Sequence, residues 1–400
     1  MKTVWEKYDE KKMKEVMAFA EDYKSFLDHA KTEREAVDEA ILLAQKAGFK
    51  PFEGEKELSL GDRYYFNNRG KSLALFVIGR KPLEEGMNIL GAHIDSPRID
   101  IKQNPLYEDN GLLLMDTHYY GGIKKYQWTA RPLALHGVVC KKDGSIVKIC
   151  IGEKEDDPIL EISDLLIHLA KDQMEKSGAK VVEGEDLNAL AGSIPFKGED
   201  EKDPVKKNIL AILKKEYDIE EDDFISAELE LVPAGKARDL GLDRSMIMGY
   251  GHDDRICAFS SLAALLESKE PERTSVCILT DKEEIGSIGS TGAESVFFEN
   301  AVAELINVQT DYNDLKIRHA LQNSRMLSSD VSAAFDPNYP EVMEKKNSAY
   351  FGKGLVFNKY TGSRGKSGSN DANAEYMAAL RKIMDDNKIY YQTAELGKVD

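Results

Sequence analysis

His93 and Asp95 stand two positions apart in Ile89-Leu-Gly-Ala-His-Ile-Asp-Ser-Pro97, where an apolar run ends in small residues. On a strand, positions i and i+2 share a face, so the spacing predicts an imidazole and a carboxylate on one pocket wall. A neutral imidazole can ligate a metal, and a carboxylate beside it can fix its tautomer. An ordinary hydrogen-bonded pair has the same composition, so the pair alone does not decide its role.

Three further acidic clusters follow or border apolar segments. They are Gly251-His-Asp-Asp-Arg255, Thr280-Asp-Lys-Glu-Glu-Ile-Gly286 and Leu327-Ser-Ser-Asp330. In open α/β sheets ligands bind outside the carboxyl ends of strands, so positions of this kind can converge. With His93 they offer one imidazole and several carboxylates, a donor set suited to Zn²⁺, Mn²⁺ or Co²⁺. Of two adjacent carboxylates such as Glu283 and Glu284, one can ligate a metal while the other takes a proton from water. Taken singly, each pair reads equally as a solvated turn or a helix cap. Their repetition at segment ends, with glycine alongside, favours chemistry.

The elements that must position these groups follow from periodicity. Met13, Val16, Met17, Ala20 and Tyr23 recur at helical spacing, and Thr32 with Glu35 makes a capping box for a second helix ending near Gly48. Leu73–Ile78 and Asn88–Leu90 read as strands leading to His93. Leu133–Cys140 and Ile146–Ile151 flank Asp143-Gly144, a hairpin signal. Ile162–Ala170 and Ile209–Leu213 read as helices within a polar stretch, and Glu228–Val232 as a strand. Beyond Asp243 the alternation resumes with helices over Ile256–Leu266, Ala293–Leu305 and Asn373–Met384, a buried strand at Thr274–Thr280, and a loop marked by Gly362, Gly365 and Gly368. The pattern predicts an α/β fold. Residues 1–102 and 241–400 form one discontinuous domain, interrupted by a β-rich insertion at 103–240.

Composition bounds the partners. The 400 residues are 42% hydrophobic, and 54 basic against 71 acidic side chains give a net charge of −17. That balance disfavours nucleic acid and anionic membranes, which need clustered positive charge. No segment has the apolar core of a signal peptide or the roughly 20 apolar residues of a membrane span. A cytoplasmic protein is expected. Cys140, Cys150, Cys257 and Cys277 form no C-x-x-C pair and read as reduced packing residues.

Gly91-Ala-His-Ile-Asp-Ser-Pro97, Gly251-His-Asp-Asp-Arg255, Asp281-Lys-Glu-Glu-Ile-Gly-Ser287, Ser329-Asp330 and Asp336-Pro-Asn-Tyr339, with Trp128-Thr-Ala-Arg-Pro-Leu133 in the insertion, occur here in order. In this set the chain resembles the aspartyl aminopeptidase and aminopeptidase I family of cocatalytic zinc exopeptidases. The resemblance implies a three-layer α/β/α zinc-peptidase domain with an inserted β-rich dimerisation domain. It implies removal of an acidic or neutral N-terminal residue from peptides, two Zn²⁺ per subunit replaceable by Mn²⁺ or Co²⁺, and a tetrahedral homododecamer. His93, Asp253, Glu284 and Asp330 are implied metal ligands, with Asp253 bridging, Asp95 orienting His93 and Asp254 in support. Glu283 is the implied general base, and Lys359 an implied contact for an acidic substrate. The family's last ligand is a histidine close to its C-terminus. The last histidine here is His319, which leaves a longer native chain or an incomplete second site as readings.

Gly362-Ser-Arg-Gly-Lys-Ser367 lacks the spacing of a phosphate-binding loop, since Tyr360 stands where its first glycine is needed. His29, His118, His136, His168 and His319 show no partner cluster in sequence; His252 adjoins Asp253. Two other functions fit the same residues: an acylamino-acid deacylase, and a catalytically incomplete relative that self-assembles.

Overall fold

The computed structural model describes residues 2–198, 202–361 and 370–398, so the loop with Gly362, Gly365 and Gly368 lies outside them. The chain opens with helices α1 (Glu10–His29) and α2 (Glu33–Lys46) and strands β1 (Lys50–Pro51), β2 (Arg63–Asn68), β3 (Ser72–Val77) and β4 (Asn88–His93). Strands β5 (Arg98–Asp109), β6 (Leu112–Tyr120), β7 (Leu133–Cys140) and β8 (Ile146–Ile151) follow, then α3 (Lys171–Met174), β9 (Ala189–Gly192), α4 (Pro204–Tyr217) and β10 (Ala227–Pro233). Next come β11 (Arg238–Leu240), β12 (Met246–Met248), α5 (His252–Glu267), β13 (Ser275–Thr280), α6 (Phe297–Gln309), α7 (Asp314–Asn323) and β14 (Arg325–Ser328). The chain closes with β15 (Leu355–Asn358), α8 (Ala374–Asp386) and β16 (Tyr391–Ala394).

Two compact units result, Tyr23–Ser329 and the combination of Met1–Asp22 with Asp330–Asp400. Within Tyr23–Ser329, one mixed sheet has the order β1-β2-β3-β13-β4-β14. Its central strands are apolar on both faces, because both faces are covered. Leu73, Leu75 and Val77 of β3 pack with Phe26, Leu27, Val37 and Leu262 of α1, α2 and α5. The alternate residues Ala74 and Phe76 pack with Val302, Leu305, Ile306 and Ile317 of α6 and α7. Period-two alternation thus builds an α/β/α sandwich from one strand sequence.

The same unit holds a second sheet, antiparallel throughout, in the order β8-β7-β10-β5-β6-β9. Its apolar side buries Ile99, Leu113, Leu133, Leu135 and Leu231 against Val205 of α4 and Phe224. The other unit contains α8 and the parallel pair β15–β16, where Leu355 opposes Tyr391.

Most sequence expectations for elements match, the Thr32–Glu35 capping box among them. Ile162–Ala170 does not form the expected helix. Glu161 bridges Leu190 and the carbonyl of Ile162 accepts from Ala130, so the chain is drawn into the sheet before a single 3-10 turn at Ile167–Leu169. Tertiary pairing outweighs the local apolar spacing there.

Candidate metal centre

Strand β4 ends at His93, and two parallel neighbours end beside it. β13 pairs with β4 so that Thr280 faces His93. β14 pairs on the other side, where the Ser329 amide donates to the Gly91 carbonyl at 2.8 Å. Residues following both strands therefore leave the sheet at the same end as His93. The Asp281–Glu284 cluster departs one residue past its partner strand, which is why its carboxylates come so close to His93.

The imidazole is buried, and its two nitrogens have different partners. Nδ1 lies 3.0 Å from the Asp95 carbonyl oxygen and 3.3 Å from Asp95 Oδ1. Nε2 lies 3.2 Å from Asp253 Oδ1 and 3.8 Å from Glu283 Oε2. Ligand atoms of His93, Asp253 and Glu284 all fall within 4.8 Å of one another. Strand β4 stops at His93, so Asp95 reaches Nδ1 from the segment beyond the strand and not through a shared strand face.

Asp95 is fully buried and organises the loop opposite. Its Oδ1 accepts the Glu283 amide at 3.1 Å, and its Oδ2 accepts the Glu284 amide at 3.2 Å and the Tyr120 hydroxyl at 2.8 Å. Burial would raise its pKa, but His93, Tyr120 and the Glu284 amide hold it below the ordinary aspartate value. Burial lowers the His93 pKa, yet bonds to Asp253 and Asp95 outweigh this and raise it to about 11. Burial, then the neighbouring Asp253 charge, raises Glu284 to about 7. One imidazole and the carboxylates of Asp253 and Glu284, with ligand atoms within 4.8 Å of one another, are a donor set that fits a divalent ion.

Asp253 and Asp254 open α5, and the peptide bond between them is cis. Asp253 keeps its side chain 52% exposed with Oδ1 beside His93 Nε2, whereas Asp254 is completely buried. The Ser96 hydroxyl donates to the Asp253 carbonyl at 2.6 Å. His252 turns elsewhere, with Nδ1 2.8 Å from the Tyr23 hydroxyl and Nε2 3.2 Å from the Ile247 carbonyl. Asp281 is an anchor for the loop: Thr291 donates to its Oδ2 at 2.6 Å and Lys71 lies 3.9 Å away.

Asp330 and Lys359 belong to the other compact unit. Asp330 Oδ1 accepts the Val331 amide at 2.6 Å, and the exposed Lys359 places Nζ 5.1 Å from the Tyr360 ring centroid. Sequence reasoning missed Tyr120, whose only signal is the Tyr-Tyr-Gly-Gly end of an alternating strand. It also missed that His136 sits between Glu35 (2.8 Å) and Glu153 (3.1 Å). Those three residues come from separate elements, so no local pattern joins them.

Fold and donor set together place the chain among α/β metallohydrolases. Residues 26–400 match the family described as aminopeptidase I zinc metalloprotease (M18), and the chain belongs to that family. It is 61% identical to a probable M18 family aminopeptidase 1 of Clostridium acetobutylicum, over all of this chain and 87% of that one. The crystal structure of an M18 aminopeptidase from Thermotoga maritima superposes with a TM-score of 0.95 at 43% identity, covering 100% of this chain and 87% of that one. The mApe1 dodecamer of S. cerevisiae shares the fold, with a TM-score of 0.75 at 22% identity over 95% of this chain and 86% of that one.

Proposed function

We propose that the chain is a dinuclear zinc aminopeptidase that removes an acidic or neutral N-terminal residue from peptides, with Mn²⁺ or Co²⁺ able to replace Zn²⁺. The convergence of His93, Asp253 and Glu284, with Glu283 beside them, is the observation that carries this reading. His93, Asp253, Glu284 and Asp330 would hold the ions. When bound, the ions supply Lewis-acid polarisation of the scissile carbonyl and lower the pKa of the attacking water. Nδ1 of His93 donates to Asp95, which leaves the Nε2 lone pair for ligation. Glu283 takes the proton from water and delivers it to the leaving amine.

An open cavity of about 730 Å³ adjoins Asp253 and is lined by Ser96, Trp128 and Tyr250 with Lys124, Arg131, Lys236 and Arg238. Four basic residues lining this cavity, in a protein with net charge −17, favour a peptide bearing negative charge. Lys359 is assigned a contact with an acidic substrate side chain.

Residues 103–240 form the inserted domain and supply dimer contacts within a homododecamer. The exposed Leu165, Leu166, Ile167 and Leu169 support this, because an apolar run of that kind is covered in a stable assembly. The enzyme works in the cytoplasm; four free cysteines suit a reducing compartment. Among the described residues no helix is long and apolar enough to cross a membrane.

The test is hydrolysis of a panel of free and N-acylated aminoacyl chromogenic substrates with and without Zn²⁺, Mn²⁺ and Co²⁺, alongside metal stoichiometry. Metal-dependent cleavage of free aminoacyl substrates is expected. Cleavage of acylated ones alone identifies a deacylase, and one weak metal site with no cleavage identifies an inactive relative.

A further inference from the structure

The antiparallel sheet reaches the candidate metal centre at the end of β6. There Tyr120, 8% exposed, donates its hydroxyl to Asp95 Oδ2 at 2.8 Å. The next residue, Gly121, has φ +73°, and a Cβ placed on it would lie 3.2 Å from Glu284 Cβ and 3.5 Å from Pro97 Cα. Backbone thus packs directly against a candidate ligand, and a Cβ at this position would require Glu284 to give by a few tenths of an ångström.

Tyr120 is itself held. The Arg98 guanidinium lies 3.7 Å from its ring centroid, and Arg98 is fixed by Asp100 at 2.7 Å, Glu230 at 3.2 Å and Glu33 at 3.4 Å. A cation over an aromatic face both orients the ring and favours its position. The phenol therefore approaches Asp95 from a rigid support, on the opposite side from His93.

Asp95 divides its bonds between its two oxygens. Oδ1 meets His93 Nδ1 and the Glu283 amide, while Oδ2 meets the Glu284 amide and Tyr120. Without the phenol, Oδ2 retains only the longer 3.2 Å amide bond, and the carboxylate is freer to rotate away from His93. We propose that Tyr120 is a positioning residue of the metal centre, which fixes the Asp95 carboxylate and through it the aim of His93 and the placement of Glu283 and Glu284. The inference rests on the metallopeptidase reading above. It makes the second sheet a determinant of the metal site and not only a surface for assembly.

Tyr120→Phe keeps the ring and its contact with Arg98 but removes the donor. Loss of such an outer partner costs about 10–100-fold in metal affinity or activity. The expected result is a loss of that order in zinc affinity, read by competition with a chromophoric chelator, and a comparable fall in kcat with KM little changed. The melting temperature of the metal-free protein should remain near that of the parent. In an Asp95→Asn background the same substitution should have little further effect on zinc affinity, because the acceptor it positions is already altered. Parent-like zinc affinity and kcat in Tyr120→Phe overturn the proposal, as does a lowered melting temperature with unchanged zinc affinity. A parent chain that binds no zinc overturns the metallopeptidase reading itself and this role with it.

Discussion

Asp95 and Glu283 are joined through the backbone, with Asp95 Oδ1 accepting the Glu283 amide at 3.1 Å. The bond fixes the Glu283 main chain and leaves its carboxylate to reach within 3.8 Å of His93 Nε2. Glu283→Gln preserves the shape and the amide bond but removes the proposed base. Turnover of aminoacyl substrates should fall by about 10²–10⁴-fold while metal content stays near that of the parent. A near-normal rate would refute the assignment.

Among the described residues, His93 is the only imidazole in the ligand cluster with Asp253 and Glu284. His93→Ala should weaken zinc binding by more than about 100-fold, since losing a ligand exceeds the cost of losing an outer partner. Elemental analysis after dialysis against a graded chelator series reads this directly.

Gly121 combines a positive φ with close packing against Glu284. Gly121→Ala should cost about 1–2 kcal/mol in backbone strain and push the Glu284 side chain from its place. A lowered unfolding midpoint together with reduced metal affinity is expected; an unaltered protein would show that the loop yields freely.

Arg98 is the cation shared by Glu33 and Glu230, both of them buried. Burial raises the Glu33 pKa, but the Arg98 and Lys71 charges outweigh it and hold the group well below the ordinary range. Arg98→Met leaves two buried carboxylates with much of their compensation gone. It should destabilise the fold by about 3–5 kcal/mol, as for other broken buried pairs, measured by urea denaturation.

His136 supplies a pH signature away from the metal centre. Burial lowers its pKa, but Cys150, Glu153 and Glu35 outweigh that and raise it to about 11. A raised value means that the folded protein holds the proton more tightly than the unfolded chain does. The stabilisation is complete below about pH 6.5 and declines as pH rises towards 11. The melting-temperature gap between the parent and His136→Gln should be widest near pH 6 and shrink steadily in alkali. A constant gap would mean that His136 contributes packing alone.

Much of the scaffold was legible because its signals are local. The apolar run Leu73–Ile78, the capping box at Thr32 and the Asp-Gly hairpin each involve residues a few positions apart. Ile162–Ala170 was misread because its fate depended on Leu190, about 28 residues away along the chain. The shared-face argument for His93 and Asp95 predicted a contact that exists, though the strand ends before Asp95 and the carboxylate arrives by another path.

The sequence by itself determined the chemical inventory: one histidine and several acidic residues, each set where an apolar segment ends. Tertiary structure decided which of them meet. Parallel pairing of Thr280 with His93 carries Glu283 and Glu284 to the imidazole, and the start of α5 turns Asp253 outwards while burying Asp254. Tyr120 reaches Asp95 from the antiparallel sheet, across 25 positions of sequence. Strand and helix signals decay over a few residues, whereas sheet register and packing join positions at any separation. Candidate donors could therefore be picked out from sequence, but their geometry required the fold.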